Sequence, residues 1–420
     1  MLFPFFTASR RDFALFNGRE RAEEMRITAV GGGSLGSQVI LNAARAGFGH
    51  WTTIDDDLLL PHNLARHGLF GDAVGFAKAR VIQIVANALC EDTPVHKGIE
   101  ADVLDPGANA IEVAEALSEA DAIVDLSASV TVARALARDI PAVARRVSLF
   151  LNPSGTDLTL LAEDSVRAFP LDVLEMQYYR GLLRTSALEN ALQEPSSRIR
   201  YGRSCRDVSV ALSHARTAVH GGIGAKALED TLTSTDAAIR VWRADDVTLG
   251  VRAFELEVSP PRTCESASWT LVTDEWLLRR LTQLRLAKLP NETGGVLIGA
   301  LDLTRRIAYI VDTIPSPNDS HEYPTSYLRG SAGLDADARR IEGITMGQLH
   351  YIGEWHSHPK GSSCLPSSDD ANLFDWLGEM VEGDGLPPFI MIVGDDVAVP
   401  FFGDMIRDGS YPAVFQLSDS

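Results

Sequence analysis

Met25-Arg26-Ile27-Thr28-Ala29-Val30-Gly31-Gly32-Gly33-Ser34-Leu35-Gly36 is the stretch on which the fold of the first domain turns. Met25–Val30 is short, apolar and rich in β-branched residues, the pattern of a buried strand. The glycines make a turn, and Val39, Ile40, Ala43 and Ala44 continue at helical spacing as far as Gly47. A second apolar run, Trp51–Ile54, ends in Asp55-Asp56-Asp57. Strand, glycine turn, helix and strand in that order predict an α/β, Rossmann-like nucleotide-binding domain. Gly31, Gly33 and Gly36 let the backbone approach a phosphate at the helix N-terminus, where unpaired N–H groups and the helix dipole favour an anion. Asp55 closes the second strand, where a carboxylate can hold ribose hydroxyls.

The residues that follow lead away from a dehydrogenase. After Asp57 come Asn63-Leu64-Ala65-Arg66 and then Gly75-Phe76-Ala77-Lys78. An amide, a guanidinium and an ammonium suit a triphosphate, whose charge needs several donors. This order resembles the adenylating domain of the ThiF/MoeB/E1 family, which activates ubiquitin-like and sulfur-carrier proteins. The resemblance covers residues 20–160 closely and 160–250 loosely. It implies that Asp55 binds ribose, that Asn63, Arg66 and Lys78 contact the phosphates of ATP, and that the C-terminal glycine of a small protein is adenylated. It further implies a homodimer through this domain, and an N-terminal arginine that reaches into the partner's site, for which Arg10 and Arg11 are the residues at hand. The family's Asp-x-Thr-Asp pattern, whose second Asp holds Mg2+, is here Asp125-Leu126-Ser127-Ala128. Ala128 stands at the carboxylate position, so either Asp125 or Asp57 takes over the metal or the site is impaired.

A thioester-forming relative needs a nucleophilic cysteine, and Cys205 in Arg203-Ser204-Cys205-Arg206-Asp207 is the candidate. It follows the Pro/Ser-rich Glu194–Ser197 and precedes a helix expected from about Ser209 to Leu228. Flanking guanidinium groups and a helix N-terminus lower a thiol pKa; an ordinary free thiol is the alternative. Cys90 falls in an apolar helical stretch and is expected in the core, Cys264 in a linker, Cys364 in a loop of the second domain. Four cysteines without a CxxC pair indicate a reducing cytoplasm and no Cys-based zinc knuckle.

The C-terminal third carries a second signature. Gly353-Glu354-Trp355-His356-Ser357-His358-Pro359 is followed by Pro366-Ser367-Ser368-Asp369-Asp370. Two histidines at i and i+2 with an aspartate about a dozen residues on make a three-ligand set for Zn2+ that leaves a position open, the arrangement of a catalytic site. Glu292, in Asn291-Glu292-Thr293-Gly294-Gly295, can act on the water. Together these residues look like the JAB/JAMM (MPN-plus) metallopeptidase domain, a second α/β unit. The resemblance implies that Ser367 of the Ser-x-x-Asp element donates to the oxyanion. The third ligand is Asp370 if that element keeps its spacing, with Ser367 as helix N-cap; the usual spacing from His358 points instead to Asp369. Glu354 is read as a structural neighbour facing away from the histidines. His321, with His50, His214, His220 and His350, is read as structural.

The domains are therefore expected at 1–255 (adenylating, with a Cys-bearing segment at about 160–235), 256–268 (linker) and 269–410 (peptidase). A hydrophobic content of 45% and a charged content of 23% are ordinary for a globular protein. A net charge of −19 disfavours nucleic acid or an anionic membrane as partner, since both need a basic footprint. Met1–Phe6 is too short for a signal-peptide core, and no apolar run is long enough to span a membrane.

Joined, the two resemblances imply one substrate class, a ubiquitin-like or sulfur-carrier protein with a C-terminal glycine tail. Three readings stay open. The first domain activates the modifier through Cys205 for an E2-like partner while the second matures or removes it. Alternatively, the pair prepares a sulfur carrier for thiocarboxylate formation. Or the first domain is a non-catalytic scaffold for a peptidase. Bacterial relatives of this type suggest antiviral defence.

Overall fold

In the computed structural model, which describes residues 7–193, 198–200, 208–210, 212–266, 269–381, 386–402 and 414–417, the run before the glycines is a strand buried on both faces. This strand, β1 (Glu23–Val30), is followed by β2 (Phe48–Ile54), β3 (Lys97–Ile99), β4 (Ala122–Asp125), β5 (Arg145–Leu151) and β6 (Asp157–Ala162). A two-stranded ribbon of β7 (Arg198–Arg200) and β8 (Val208–Val210) comes next, then β9 (Ala238–Ala244) and β10 (Val251–Leu256). The helices are α1 (Arg10–Phe16), α2 (Ser34–Arg45), α3 (Lys78–Asn87), α4 (Ala110–Ser118), α5 (Val130–Arg138), α6 (Leu171–Arg184) and α7 (His214–Thr233).

The first sheet runs β10-β9-β6-β5-β4-β1-β2-β3, parallel from β5 to β3 and antiparallel beyond. One face is covered by a core containing Val39 and Ile40 of α2, Ile82 of α3 and Leu228 of α7. The other is covered by Val113 and Leu117 of α4 with Val132 and Leu136 of α5. Two covered faces explain why the strands read as continuous apolar runs. The chain passes from β1 to β2 on one side and later enters β4 on the other, so β1 lies at a topological switch point. Val30 is in register with Ile54 and with Asp125, which sets the glycine turn, Asp55 and Asp125 side by side at the strand ends.

The second sheet is built from β11 (Pro261–Ser266), β12 (Trp269–Asp274), β13 (Gly294–Asp302), β14 (Ile307–Pro315), β17 (His350–Ser357), β18 (Phe389–Val393), β19 (Val397–Phe402) and β20 (Phe415–Gln416). A separate hairpin, β15 (His321–Tyr323) and β16 (Ser326–Leu328), interrupts the series. The helices here are α8 (Glu275–Leu286), α9 (Leu334–Thr345) and α10 (Ser368–Val381). The strand order is β11-β12-β14-β13-β17-β18-β19-β20, with β17 central. One face packs Leu277 and Leu281 of α8 against Trp355 and Met391; the other packs Phe374 and Leu377 of α10 against Ile390 and Ile392. The Gly294-Gly295 pair has a steric reason: a Cβ on Gly294 would come within 2.4 Å of Trp355 O and of the Tyr327 ring.

By its contacts the chain forms two compact units, the first holding the described residues up to Glu175 with Ala191–Val258, the second Met176–Asn190 with those from Ser259 on. The stretch expected as a linker at 256–268 is corrected in part: Pro261–Ser266 is edge strand β11, paired with β12. Proline at the first position of an edge strand costs no ladder hydrogen bond. Cys264 is buried on that strand and its thiol is pushed up to about 12, first by burial and then by Glu265. Cys90 lies beyond the end of α3 and is half-buried rather than in the core. α7 begins at His214, later than expected, because Val208–Val210 pairs with Arg198–Arg200 instead. Among the described residues no helix is long and apolar enough to cross a membrane.

Candidate functional site

β17 carries alternate side chains to opposite faces. Trp355 points into the core, where its Nε1 donates to Thr313 Oγ1 at 2.7 Å. His356 therefore points the other way, into a cleft of about 900 Å3. His358, just past the strand, lines the same cleft, and its backbone N–H on Val393 O (3.0 Å) extends the pairing with β18. Asp370 arrives from the first turn of α10. Ser367 Oγ accepts from Asp370 N (3.2 Å) and Asp370 Oδ2 accepts from Ser367 N (2.6 Å), the reciprocal bonds of a capping box. This brings Asp370 Oδ1 to 3.0 Å from His356 Nε2 and Oδ2 to 3.8 Å from His358 Nε2. Ligand atoms of His356, His358 and Asp370 all lie within 4.8 Å of one another. Asp369 also lines the cleft but is exposed, and no such group includes it among the described residues.

The donor set fits Zn2+ in type, two imidazoles and a carboxylate. A second observation agrees. His358 Nδ1 lies 2.5 Å from Ser363 O; a carbonyl can only accept, so Nδ1 carries a proton and Nε2 is the ring nitrogen left for a metal, the outer hydrogen bond that a metal-binding histidine makes. The loop between the two ligands is pinned from α8. Arg285 Nε donates to His358 O (2.9 Å) and Nη2 to Asp395 Oδ1 (2.7 Å), while Asp395 Oδ2 accepts from Gly361 N (2.8 Å). Burial raises the Asp370 carboxyl, but the two histidines and the Ser367 N–H outweigh it and hold the group far below the usual carboxylate range.

Glu292 precedes β13, whose Gly294 is in register with His356. It is buried in the same cleft, and burial pushes its carboxyl up, against the pull of His356 and His358. Ser367 lines the cleft as well. The expectation for Glu354 is corrected. Residues 354, 356 and 358 share the two-residue period of a strand, so Glu354 lies on the histidines' face and lines the cleft. Burial pushes it up to about 7, opposed first by Arg329, whose Nε lies 2.8 Å from Oε2. Tyr351 OH donates to Oε1 at 3.2 Å. His321 also belongs to the cleft wall, on the hairpin that sequence reading did not find.

In the first unit the strand ends gather most of the expected residues. Gly31 has φ +103, and a Cβ there would meet the Leu126 backbone at 2.8 Å. Gly33 is the N-cap of α2 and opens onto free space. Gly36 passes so close to Gly31 O that a Cβ would stand 2.2 Å from it. Asp55 accepts from Gly32 N (2.6 Å) and Asp57 N (3.0 Å); burial pushes its carboxyl up, with Lys78 opposing. Buried Lys78 pairs with Asp57 Oδ2 at 2.5 Å. Arg66 Nε donates to Ser34 Oγ at 3.1 Å, at the start of α2. Asn63 accepts from Leu60 N (2.8 Å) and so braces its own turn.

Asp125 is fully buried, with Oδ1 accepting from Ser127 N and Oγ and Oδ2 from Ser148 Oγ. Its neighbour Ala128 has φ +55. One residue was missed: His67 Nε2–H donates to Gly32 O at 2.7 Å and braces the glycine turn from below. Its only sequence signal was its place directly after Arg66. Arg10 is buried on Glu24 and Glu23 O, which leaves Arg11 as the exposed arginine of α1. Cys205 lies outside the described residues.

Residues 9–147 match the ThiF family, and residues 274–402 match the prokaryotic homologs of the JAB domain. The CD-NTase/cGAS isopeptidase of Enterobacter hormaechei subsp. hoffmannii (strain UCI 50) is 35% identical over 136 residues, 32% of this chain and 72% of that protein. Among solved structures, E. coli MccB with AMPCPP and MccA is similar with a TM-score of 0.39 and 15% identity, over 56% of this chain and 65% of MccB. PaaA is similar with a TM-score of 0.36 and 16% identity, over 55% of this chain and 64% of PaaA. The chain thus spans just under two thirds of the length of these solved chains.

Proposed function

Because the chain belongs to the family of the Enterobacter CD-NTase/cGAS isopeptidase and carries a ThiF domain ahead of its JAB domain, we propose a bifunctional enzyme of a ubiquitin-like modification system. The JAB domain cleaves the isopeptide or peptide bond after the modifier's C-terminal glycine, and the ThiF domain activates that glycine with ATP. The observation that carries the first half is the convergence of His356, His358, Asp370 and Glu292 on one cleft.

His356, His358 and Asp370 would hold Zn2+, which when bound acts as a Lewis acid and acidifies water. Glu292 takes the proton of the attacking water and returns it to the leaving amine, the task for which a carboxyl raised by burial is suited. Ser367 Oγ accepts from Asp370 N, which leaves its O–H to donate to the oxyanion of the tetrahedral intermediate. Asp55 would hold the ribose of ATP, and Lys78 and Arg66 its phosphates. Asp57, whose side chain is 68% exposed, would be the carboxylate to meet Mg2+ in place of Ala128, since both oxygens of Asp125 are taken by hydroxyls and a backbone N–H. The modifier and the conjugate are the protein partners, in the cytoplasm. A nucleotidyltransferase of the kind named for the relative is the first conjugate to try.

Zinc-loaded protein should release the amine from a synthetic peptide whose C-terminal glycine is joined to a lysine ε-amine. Glu292→Gln should lower kcat by about 10²–10⁴-fold with zinc still bound. Undiminished turnover in that variant would remove Glu292 from the reaction, and failure of the wild type to cut either this peptide or a ubiquitin-like fusion would sink the reading. Ala128 favours a second reading, in which the ThiF domain binds the modifier without activating it.

A further inference from the structure

Glu292 stands two residues ahead of β13, in the segment that leads into the strand and outside its ladder. What fixes it comes from the hairpin. Glu292 N donates to Tyr323 O of β15 at 2.8 Å. The next residue, Thr293, is gripped from two sides. Towards β17, its N donates to Ser357 Oγ (3.0 Å) and its O accepts from Ser357 N (2.7 Å). Towards the hairpin, its Oγ1 donates to Glu322 Oε1 at 2.7 Å. The other oxygen of Glu322 takes Lys288 Nζ at 2.6 Å. Glu322 is mostly buried, its side chain 14% exposed, whereas Lys288 is half-exposed.

The geometry points to Glu322 as a positioning residue for Glu292: it fastens β15 to Thr293 and thereby sets where the Glu292 backbone stands in the cleft that holds His356 and His358. The inference rests on the isopeptidase reading above. General-base catalysis depends on hydrogen-bond reach, and a displacement of about 1 Å costs on the order of 10²-fold. A half-exposed ion pair to Lys288 contributes little by itself, so if Glu322 mattered only through that pair, kcat would not move.

Four variants separate these roles, assayed on the isopeptide-linked peptide with zinc content measured alongside. Glu322→Ala and Thr293→Val should each lower kcat by about 10–100-fold, with KM within about twofold and zinc retained. Thr293→Ser, which keeps the hydroxyl, and Lys288→Ala, which keeps the Thr293 bond, should stay near wild type. Wild-type kcat in Glu322→Ala, or failure of Thr293→Ser to rescue what Thr293→Val loses, would overturn the assignment. Amide hydrogen exchange at Glu292 and Thr293 gives a reading independent of turnover. Protection should fall in Glu322→Ala, and unchanged protection would refute the positioning role. An inactive wild type would defeat the isopeptidase reading alone, and exchange would still decide this one.

Discussion

His67 and His96 are buried imidazoles without a carboxylate acting on either, and each is held at about 4 by burial first, with Lys78 pressing on His67 and Arg10 on His96. In the unfolded chain both titrate near 6.5. The unfolded state therefore binds more protons between pH 6.5 and 4, and the stability of the first unit, whole above pH 6.5, falls as pH drops through that window. At pH 5 each histidine should cost about 2 kcal/mol relative to pH 7. Asn at position 96 can replace the acceptor Nδ1 that Trp51 N uses and cannot be protonated. His96→Asn should remove about 2 kcal/mol of the acid loss, read by amide exchange in β2 of the full chain at the two pH values; an unaltered acid loss would mean that His96 is not buried neutral. At the same scale, Ala128 sits at φ +55, a left-handed conformation that Asp and Asn tolerate better than Ala.

Among the elements, the segment between His358 and Asp370 has no regular structure for most of its length, so its precision comes from elsewhere. Arg285 supplies it from α8, with one N–H on His358 O and another on Asp395, which in turn holds Gly361. Arg285→Lys keeps the charge but loses the fork. It should weaken zinc binding about 10–100-fold, as loss of an outer partner does, measured by competition with a chelator; unchanged affinity would show that Ser363 alone orients His358. What was legible in the sequence was local. Strand, glycine turn and helix lie within two dozen residues, and His-x-His with Ser-x-x-Asp needs only a strand end and a helix cap. What was not legible was short and non-local. β15 and β16 have three residues each and owe their existence to pairing with one another and to Glu322 on Thr293. β11 reads as a linker because Pro260-Pro261 stands at its start, and only pairing with β12 makes it a strand. Glu354 was legible: the two-residue strand period that pairs His356 with His358 extends backwards to it.

For the whole molecule the open issue is whether a ThiF domain without the expected aspartate still handles ATP. Two facts favour a working site. The glycine turn is braced at three points, by Asp55 on Gly32 N, His67 on Gly32 O and Leu126 against Gly31, so binding need not pay to order it. Lys78 is buried and directed at Asp57 rather than lost to solvent, so an incoming phosphate and Mg2+ can exchange partners with an existing ion pair. Against it stands the missing carboxylate at 128. Calorimetric titration of Mg·ATP into the full chain weighs the two. Wild type should bind in the micromolar range, about 8 kcal/mol at 1 μM, and Lys78→Ala should lose about tenfold or more, since a charge-assisted bond to phosphate is among the stronger ones. Binding that persists in Lys78→Ala would place the nucleotide elsewhere. No binding by wild type would make the domain a modifier-binding scaffold and leave bond cleavage at His356, His358 and Asp370 as the chemistry of the chain.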